Sequence, residues 1–268
     1  MNSGKNSVSV SGAANGERWA VFLDLDGTLF AEKHVIPQEN LDAIRAVRDK
    51  GHLVFLNTGR SLANIPPAVT ETVPLDGVIA GNGAMIILGN EILQDAHMPF
   101  DLLQRVGTYL FSHRERWALM EGKHRTYAIV GETAQRIPGK IYLERPEDLE
   151  MLRDDHIQVI AVGDVAPPDF ARLFAKELTV IQCPGFADVT MKGIHKGVGI
   201  QKVLAATGIR RANTIAMGDS GNDRTMLQCA GIGIAMANAQ PELLAIADDI
   251  TASNLDCGVA HALRKYLL

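Results

Sequence analysis

The hydrophobic positions of the first 83 residues fall in short, nearly continuous runs separated by amphipathic stretches. Three such runs, at residues 19–23, 52–56 and 77–80, contain almost no polar side chains. A run of this kind is typical of a strand buried on both faces of a parallel sheet. Apolar residues at helical spacing over 37–50 predict a helix, and Gly51 follows where a helix end favours glycine. The order β-α-β-(α)-β predicts an open α/β sheet.

The pattern changes after Gly83. Two apolar runs flank Gly89-Asn90 and predict a β-hairpin with a tight turn. Beyond the hairpin we predict a helix at about 100–116 and a second helix that opens at Pro167-Pro168 and carries Phe170, Leu173, Phe174 and Leu178. The strands predicted in this part are residues 84–88, 91–93, 126–130, 140–143, 157–162, 179–182 and 187–191. This mixed α+β order lacks the earlier alternation and predicts a separate, inserted domain.

The alternation of helices and strands then resumes. A helix over 197–207, closed by Gly208, precedes a buried strand at 214–218. The other predicted elements are a helix at 223–230, a strand at 231–236, a helix that begins at Pro241 and a C-terminal helix. We therefore predict an α/β fold. A doubly wound, Rossmann-like parallel sheet forms its core over 17–82 and 191–268, and residues 83–190 form an inserted α+β cap domain.

Composition and charge narrow the class of protein. The chain has 268 residues, of which 47% are hydrophobic and 21% charged, as in an ordinary globular protein of about two domains. With 26 basic and 31 acidic residues, the formal net charge is −5. A chain with this net negative charge is not expected to have the extended positive surface that nucleic-acid binding requires. No apolar run approaches the ~20 residues that span a bilayer, so we expect neither a nucleic-acid nor a membrane partner.

The cysteines and the N-terminal segment bear on location. Cys183, Cys229 and Cys257 are widely separated and form no C-x-x-C pair, which argues against a disulfide framework or a zinc ribbon. Isolated thiols of this kind are typical of a reducing compartment. Residues 1–16 are rich in Ser, Asn and Gly and lack the apolar stretch of a secretory signal. We expect a disordered tail there and a cytoplasmic protein.

Polar residues follow three of the predicted parallel strands where each strand ends. The first strand runs into residues 24–28 (DLDGT), the second into 57–60 (NTGR), and the strand after the insertion into 218–223 (GDSGND). Lys196 begins the helix that precedes this last strand. Ligands of open α/β sheets bind outside the carboxyl ends of the strands. Four carboxylates, two threonine hydroxyls, a lysine and an arginine are therefore predicted to meet at one edge.

Four carboxylates at one edge require a compensating positive charge. Like charges at close range repel and raise one another's pKa, and a divalent cation relieves both effects. Because these residues include no cysteine and no histidine pair, the oxygen ligands favour Mg²⁺. Mg²⁺ commonly binds one or two carboxylates together with a substrate phosphate. The pattern therefore indicates phosphoryl chemistry with Mg²⁺ as the cofactor.

The spacing of the first two acids indicates separate tasks. Asp24, at the strand end, can aim its carboxylate into the crevice as a nucleophile. Asp26 lies beyond the turn that Gly27 allows, and it can offer its carbonyl to a metal and its carboxyl as a general acid and base. Thr58 and neighbouring amides can bind phosphoryl oxygens, and Lys196 can offset negative charge.

These segments, in this order, resemble the four motifs of the haloacid dehalogenase superfamily. The Asp-x-Asp pair is the form found in its phosphatase branch. The insertion, entered through Asn82-Gly83-Ala84, is similar to the C2 (IIB-like) cap of the Cof-type subfamily. The resemblance covers about residues 18–82 and 190–268. It implies a Mg²⁺-dependent phosphatase that hydrolyses a small phosphorylated metabolite, of the sugar-phosphate kind, through an aspartyl-phosphate.

The resemblance also implies a role for each motif residue. Asp24 would be the nucleophile, and Asp26 would protonate the leaving alkoxide and then activate water. The residues assigned to the substrate phosphoryl group are Thr58, Gly59, Arg60 and Lys196. The residues assigned to Mg²⁺ are Asp24, Asp219 and the carbonyl of Asp26, with Asn222 and Asp223 in support of the metal or of Lys196.

Several alternatives stay open at this level. A phosphomutase of the same superfamily shares the motifs. A phospho-accepting signalling module also carries an Asp, an acid cluster, a Thr and a Lys, although Asp26 and the large insertion argue against it, and an idle binding protein is disfavoured because every motif residue is present. Arg60 suits a structural ion pair as well as a phosphate contact, Thr28 suits a turn hydroxyl, and Asp223 suits a helix N-cap. The substrate and the choice between monomer and homodimer are left undetermined.

Overall fold

The computed structural model describes residues 17–131, 135–163, 168–183 and 185–268. The predicted tail at 1–16 and Pro167, at the start of a predicted helix, lie outside the described residues. Within the described residues the chain forms two sheets, of eight and six strands. The helices are α1 (Gln38–Asp49), α2 (Pro67–Thr72), α3 (Phe100–Phe111), α4 (Pro168–Leu173), α5 (Lys196–Thr207), α6 (Arg224–Cys229), α7 (Pro241–Leu244) and α8 (Gly258–Tyr266).

The larger sheet is the predicted parallel core. Its strands are β1 (Ala20–Leu23), β2 (Leu53–Asn57), β3 (Gly77–Ala80), β4 (Met85–Leu88), β5 (Glu91–Asp95), β12 (Thr214–Gly218), β13 (Ile232–Ala235) and β14 (Asp249–Ile250). Their order is β14-β13-β12-β1-β2-β3-β4-β5, and the neighbours from β14 to β3 are parallel. The carboxyl ends of β1, β2 and β12 therefore lie side by side at one edge, which is where the motif residues follow.

Apolar layers cover both faces of this sheet. On one face, Val21 and Leu23 of β1 pack with residues of α1 and α8, such as Ile44 and Leu263. On the other face, the alternate β1 residue Phe22 packs with residues of α5 and α6. Side chains of successive strand residues point to opposite faces, so a strand covered on both sides needs an unbroken apolar run. The prediction of a doubly wound α/β core is confirmed.

The smaller sheet lies in the insertion. Its strands are β6 (Ala118–Gly122), β7 (Thr126–Ile129), β8 (Ile141–Tyr142), β9 (Ile157–Gly163), β10 (Leu178–Cys183) and β11 (Phe186–Met191), in the order β10-β11-β9-β6-β7-β8. Strand β6 was absent from the sequence prediction. One face of this sheet packs on α3 and α4 in a second apolar cluster that includes Met120, Ile160 and Phe170. The other face covers the polar edge of the core sheet.

The predicted hairpin forms, but it belongs to the other sheet. Strand β4 pairs antiparallel with β3, with Ile79 opposite Ile86, and β5 pairs with β4. The expectation that the cap begins at residue 83 and contains this hairpin is therefore wrong, and the second sheet is reached only after Asp95. The hairpin covers the apolar strand β3 and makes β5 the edge of the sheet, where the exposed charge of Glu91 disfavours pairing with another chain.

Two other predicted elements are shorter than expected. Helix α3 ends at Phe111 and not near residue 116, because Ser112 closes it and its hydroxyl donates to the carbonyls of Thr108 and Tyr109. Helix α4 ends at Leu173. Strand β14 was not predicted either. No helix among the described residues is both long and apolar enough to cross a bilayer.

The chain passes from the first sheet to the second at His97. The amide of Ala96 donates to Ala84 of the core hairpin, whereas the amide of Met98 donates to Ile157 of β9. Side chains join the two parts beside this crossing: Lys123 Nζ lies 3.0 Å and His156 Nδ1 2.9 Å from Asp95 Oδ2. The crossing is therefore held by backbone and side-chain hydrogen bonds on both sides.

Candidate active site

Asp24 continues β1 by one hydrogen bond and then leaves the sheet. Its amide donates to the carbonyl of Met217 in β12 at 3.0 Å. The chain turns at Gly27, which has φ +78°. A Cβ there would lie 2.4 Å from Asp219 Oδ2, so this turn requires glycine both for its conformation and for space. The turn brings Thr28 Oγ1 within 3.0 Å of Asp219 Oδ1, to which it donates.

Lys196 is the first residue of α5, and its side chain is fully buried. Its Nζ donates to Asp24 Oδ1 at 2.6 Å and to Asp223 Oδ1 at 2.5 Å. Burial alone would lower the pKa of this ammonium, but Asp223 and Asp24 outweigh burial and raise it. Burial and the neighbouring Asp223 raise the pKa of Asp24 well above its usual value, against the attraction of Lys196. Lys196 therefore holds a positive charge between two acids.

Asp223 has one of the two roles considered for it: it supports Lys196, whereas its side chain makes no hydrogen bond that caps helix α6. While Oδ1 accepts from Lys196, Oδ2 accepts the backbone N–H groups of Asp219 at 2.9 Å and Ser220 at 3.0 Å. The carboxylate thus caps the loop after β12 and anchors the lysine. With both oxygens occupied, Asp223 has little capacity left for another ligand.

The acids suit a hard divalent cation. Asp24, Asp219 and Asp223 each offer a carboxylate oxygen, and these atoms lie within 4.8 Å of one another. Burial and the charge of Asp223 raise the pKa of Asp219 to about 7, although Thr28 lowers it. Excess negative charge in an all-oxygen donor set fits a cation such as Mg²⁺. Because Asp223 is already occupied, Asp24 and Asp219 are the carboxylates best placed to bind it.

Asp26 and Arg60 form an ion pair at the edge of the site. Arg60 Nε and Nη2 donate to the two oxygens of Asp26, each at 2.7 Å. This two-point contact is a strong form of carboxylate recognition. Of the two roles considered for Arg60, the structure contains the ion pair, and a phosphate contact would require this pair to open.

Thr58 and Gly59 follow β2 at the same edge. Thr58 is buried, and its Oγ1 accepts the N–H of Arg60 at 3.2 Å. A Cβ on Gly59 would come within 3.0 Å of both Asn222 Nδ2 and Asp188 Oδ2, so the loops after β2 and β12 and strand β11 converge here. Asn57, one residue earlier, donates from Nδ2 to the carbonyl of Lys196 at 3.2 Å and ties β2 to the start of α5.

A cavity of about 530 Å³ lies between this edge and the second sheet. The predicted site residues that line it are Asp24, Asp26, Thr58, Gly59, Arg60, Asp219 and Asn222. Thr28, Lys196 and Asp223 lie behind this surface, each with an exposed fraction of 1% or less. The structure therefore brings all of the predicted residues together, in one layer that faces the cavity and one layer that supports it.

The cavity also has lining residues that the sequence analysis did not single out. They are Asn64, Glu121, Ala161, Cys183, Phe186, Asp188 and Ser220. Glu121 Oε2 accepts the N–H of Ser61 at 3.3 Å, and Asp188 Oδ2 accepts from Asn82 Nδ2 at 2.8 Å. A lone acid within an apolar strand, as in Ala187-Asp188-Val189, was the available signal.

Comparison with known proteins agrees with this geometry. The profile of the haloacid dehalogenase-like hydrolase family matches residues 21–263. The chain is 32% identical to the 5-amino-6-(5-phospho-D-ribitylamino)uracil phosphatase YcsE of Bacillus subtilis, over 92% of this chain and 95% of that protein. It is 26% identical to a phosphoglycolate phosphatase of Methanothermobacter thermautotrophicus, over 92% of this chain and 98% of that protein.

Two solved structures with the same architecture are phosphatases of the same superfamily. The subclass IIB sugar phosphatase BT4131 superposes with a TM-score of 0.78 at 25% identity, over 92% of this chain and 98% of that one. The phosphatase BT1666 of Bacteroides thetaiotaomicron superposes with a TM-score of 0.80 at 25% identity, over 97% and 98%. The resemblance inferred from the motifs is thus confirmed. The chain belongs to the haloacid dehalogenase-like hydrolase family and is an enzyme of its phosphatase class.

Proposed function

We propose that this enzyme is a Mg²⁺-dependent phosphatase that hydrolyses a small phosphate ester, of the sugar-phosphate kind, through an aspartyl-phosphate on Asp24. The observation that carries the proposal is the contact of one buried ammonium, Lys196 Nζ, with both Asp24 and Asp223 at the edge of a cavity. A carboxylate held in this way has one oxygen fixed by the lysine and the other directed to the cavity side.

The first half of the reaction transfers the phosphoryl group to the enzyme. The oxygen of Asp24 that Lys196 does not hold attacks phosphorus, and the bond from phosphorus to the ester oxygen breaks. Asp26 gives its proton to the leaving alkoxide. Lys196 offsets the negative charge at Asp24, while Thr58 and the amides of its loop donate to the phosphoryl oxygens.

The second half returns the enzyme to its starting state. Asp26, now a carboxylate, takes a proton from water, whose oxygen attacks the phosphorus of the aspartyl-phosphate. Inorganic phosphate leaves and the Asp24 carboxylate is restored. The Arg60 ion pair fixes Asp26 as a carboxylate in this structure, so Asp26 must leave Arg60 and take up a proton before it can protonate the leaving alkoxide.

Asp24, Asp219 and the carbonyl of Asp26 are the proposed ligands for Mg²⁺. Bound Mg²⁺ supplies positive charge that offsets both the phosphoryl oxygens and the attacking carboxylate. Thr28 orients Asp219 by its hydrogen bond, and Asp223 keeps the loop and Lys196 in position. The raised pKa of Asp219, about 7, is consistent with a carboxylate whose negative charge a bound cation would stabilise.

The substrate class is proposed from the cavity and from the relatives. A cavity of about 530 Å³ suits a small ester. Relatives are named for a ribitylaminouracil phosphate and for sugar phosphates. The test is a panel of phosphorylated metabolites, incubated with Mg²⁺ or with a chelator, with free phosphate measured.

We expect phosphate release that requires Mg²⁺. Formation of an isomeric ester in place of free phosphate would instead identify a phosphomutase, and a long-lived phosphoprotein without turnover would identify a signalling module. Failure to release phosphate from any ester, including p-nitrophenyl phosphate, would overturn the proposal.

A further inference from the structure

The face of the second sheet that covers the site carries two acids. Asp188 of β11 lies opposite Ala161 of β9, and Ala161 lies opposite Leu119 of β6. Glu121 follows Leu119 by two positions and so shares its face. The alternate residues of these strands, including Met120 and Ile160, pack into the apolar cluster on the far side. Glu121 and Asp188 are therefore fixed by strand register toward the cavity.

Neutral groups hold both carboxylates. Glu121 accepts from the Ser61 amide and from the side chain of Asn64. Asp188 accepts from the side chains of Asn82 and Asn222. Neither acid forms an ion pair with a residue that the structure describes, and the exposed fraction is 7% for Glu121 and 5% for Asp188. Both charges therefore lack a direct ion-pair partner, although Lys140 attracts Glu121 and Lys196 attracts Asp188 at longer range.

The remaining charges of the lining offset these acids only in part, because the described part of the lining has five carboxylates and one guanidinium. Arg60 is the one basic residue among the lining residues within the described ranges, and Asp26 occupies its guanidinium through two hydrogen bonds. Lys196 lies behind the surface and is shared by Asp24 and Asp223. The part of the cavity beyond the proposed phosphoryl site is thus acidic.

We propose that Glu121 and Asp188 select substrates by the charge of the leaving group. The cavity accepts esters whose leaving group is a neutral polyol or bears an amine, and it rejects esters that bear a carboxylate or a second phosphate. Hydroxyl and ammonium groups donate hydrogen bonds to carboxylates, whereas a second anion in a cavity of low dielectric meets strong repulsion. This inference rests on the proposed function and adds a substrate charge class to it.

The test uses three esters that share a phosphate on C6. Glucosamine 6-phosphate carries an amine at C2, glucose 6-phosphate has no charge besides its phosphate, and 6-phosphogluconate carries a carboxylate at C1 of an open chain. We expect kcat/KM of the wild-type enzyme to be at least about tenfold lower for 6-phosphogluconate than for glucose 6-phosphate, as like charges at close range require. The value for glucosamine 6-phosphate should equal or exceed that for glucose 6-phosphate.

Two variants assign the effect to these residues. Glu121→Gln and Asp188→Asn keep side-chain volume and an accepting oxygen but remove the charge. Each should reduce the discrimination against 6-phosphogluconate several-fold, and melting temperatures verify that each variant is folded. Glu91→Gln, on the exposed part of β5, is the matched control and should keep the wild-type ratio.

A binding experiment separates failure of the inference from failure of the proposed function. Calorimetry with Asp24→Asn measures the affinity for the same three esters without turnover. Suppose that the wild-type enzyme hydrolyses none of the three esters, but that Asp24→Asn binds the amine ester more tightly than the carboxylate ester. The proposed function is then wrong and charge selection stands. If hydrolysis occurs but 6-phosphogluconate is used as well as glucose 6-phosphate, or if the Glu121 and Asp188 variants leave the ratio unchanged, charge selection is overturned.

Discussion

Lys196 stays charged although water cannot reach it. An isolated ammonium in the interior would lose its proton, because burial penalises the charged form. Contacts of 2.6 Å and 2.5 Å with two carboxylates reverse this tendency. The same contacts compensate only one of the two negative charges, and Asp219 adds a third beside them. The site therefore carries an excess of negative charge that a divalent cation can offset.

Asp24→Asn should abolish turnover and leave the fold intact. The amide removes the nucleophile, while Lys196 keeps its contact with Asp223. We expect kcat with p-nitrophenyl phosphate to fall at least about 10³-fold, as for other nucleophile substitutions, with the melting temperature within a few degrees of the wild type. Asp42→Asn, on the exposed face of α1, is the control and should retain full activity. Hydrolysis by Asp24→Asn at the wild-type rate would contradict the nucleophile assignment.

Thr28→Val should weaken the response to Mg²⁺. Thr28 Oγ1 donates to Asp219 Oδ1 at 3.0 Å, and valine keeps the volume but removes this donor. Loss of a hydrogen bond that orients a metal ligand typically costs 10–100-fold in metal affinity, so we expect the half-saturating Mg²⁺ concentration to rise about tenfold. The measurement is phosphate release against Mg²⁺ concentration. Thr190→Val removes another buried hydroxyl, one that donates to Ile194, and should leave the Mg²⁺ response unchanged; an equal shift in both variants would refute the specific role of Thr28.

At the scale of elements, the hairpin β4–β5 decides where the second sheet is attached. The hairpin completes the core sheet, and its last residue, Asp95, contacts Lys123 and His156 of the other sheet. The crossing at His97 is consequently short and tied on both sides. A cap that opens to admit substrate must move about such crossings.

The Asp95–Lys123 contact should contribute measurably to this attachment. Both side chains are about one-fifth exposed, and Nζ lies 3.0 Å from Oδ2. A double-mutant cycle with Asp95→Asn and Lys123→Met should give a coupling free energy of about 1 kcal/mol in urea unfolding, the upper range for partly exposed pairs. The exposed pair Glu150–Arg153, three residues apart in sequence, is the control and should give no measurable coupling. Equal couplings for the two pairs would show that the crossing gains nothing from Asp95.

At the scale of the whole molecule, the contact between the two sheets includes two buried acids, Glu121 and Asp188. Burial raises the pKa of Asp188 to about 6, although its hydrogen bond from Asn82 lowers it. Burial likewise raises the pKa of Glu121. These carboxylates destabilise the folded state when they are charged, and residues at functional sites often lower stability in this way.

Asp188→Asn should therefore change stability with pH in a defined direction. The unfolded carboxyl titrates near its usual 3.8 and the folded one near 6. Between these values the folded protein binds more protons, so its free energy of unfolding falls as pH rises and then levels off above about 6. The variant does not titrate there. Its stability relative to the wild type should rise by about 2 kcal/mol from about pH 4 to pH 7.5, measured by urea unfolding.

Asp249→Asn is the control of opposite sign. Burial raises the pKa of Asp249, but hydrogen bonds from Lys265 and Tyr266 outweigh burial and lower it. Its stabilising charge is present above the usual value of 3.8 and is lost only at lower pH. The difference between this variant and the wild type should change little from about pH 4 to pH 7.5. A similar flat difference for Asp188→Asn would contradict the raised pKa of Asp188.

The core and its motif residues were open to prediction from sequence for a simple reason. Parallel strands that are buried on both faces need unbroken apolar runs, and their carboxyl ends lie at one edge. Asp24, Thr58 and Asp219 each follow such a run, so their convergence follows from topology without knowledge of any contact. Lys196 could be placed at the same edge because it begins the helix that precedes β12.

The insertion was predicted less well because its pairing is not local. The hairpin was visible as a hairpin, but no local pattern says which edge it joins, and β3 competes for it with the strands of the second sheet. Glu121 escaped notice because β6 was not predicted, and Asp188 because the predicted strand at 187–191 came without the register that shows which way its side chains point.

The order of apolar runs and strand-end motifs in the sequence was enough to determine the parallel core, the identity of its acids and the lysine between them. Periodicity and chain direction carry that information along the chain. Only the tertiary structure decided that the hairpin extends the core sheet, that Arg60 holds Asp26, and that Glu121 and Asp188 complete the cavity. Those outcomes depend on which parts of the chain, distant in sequence, pack together. Burial against those parts, and no local preference, determines the contacts and the pKa values of the buried acids.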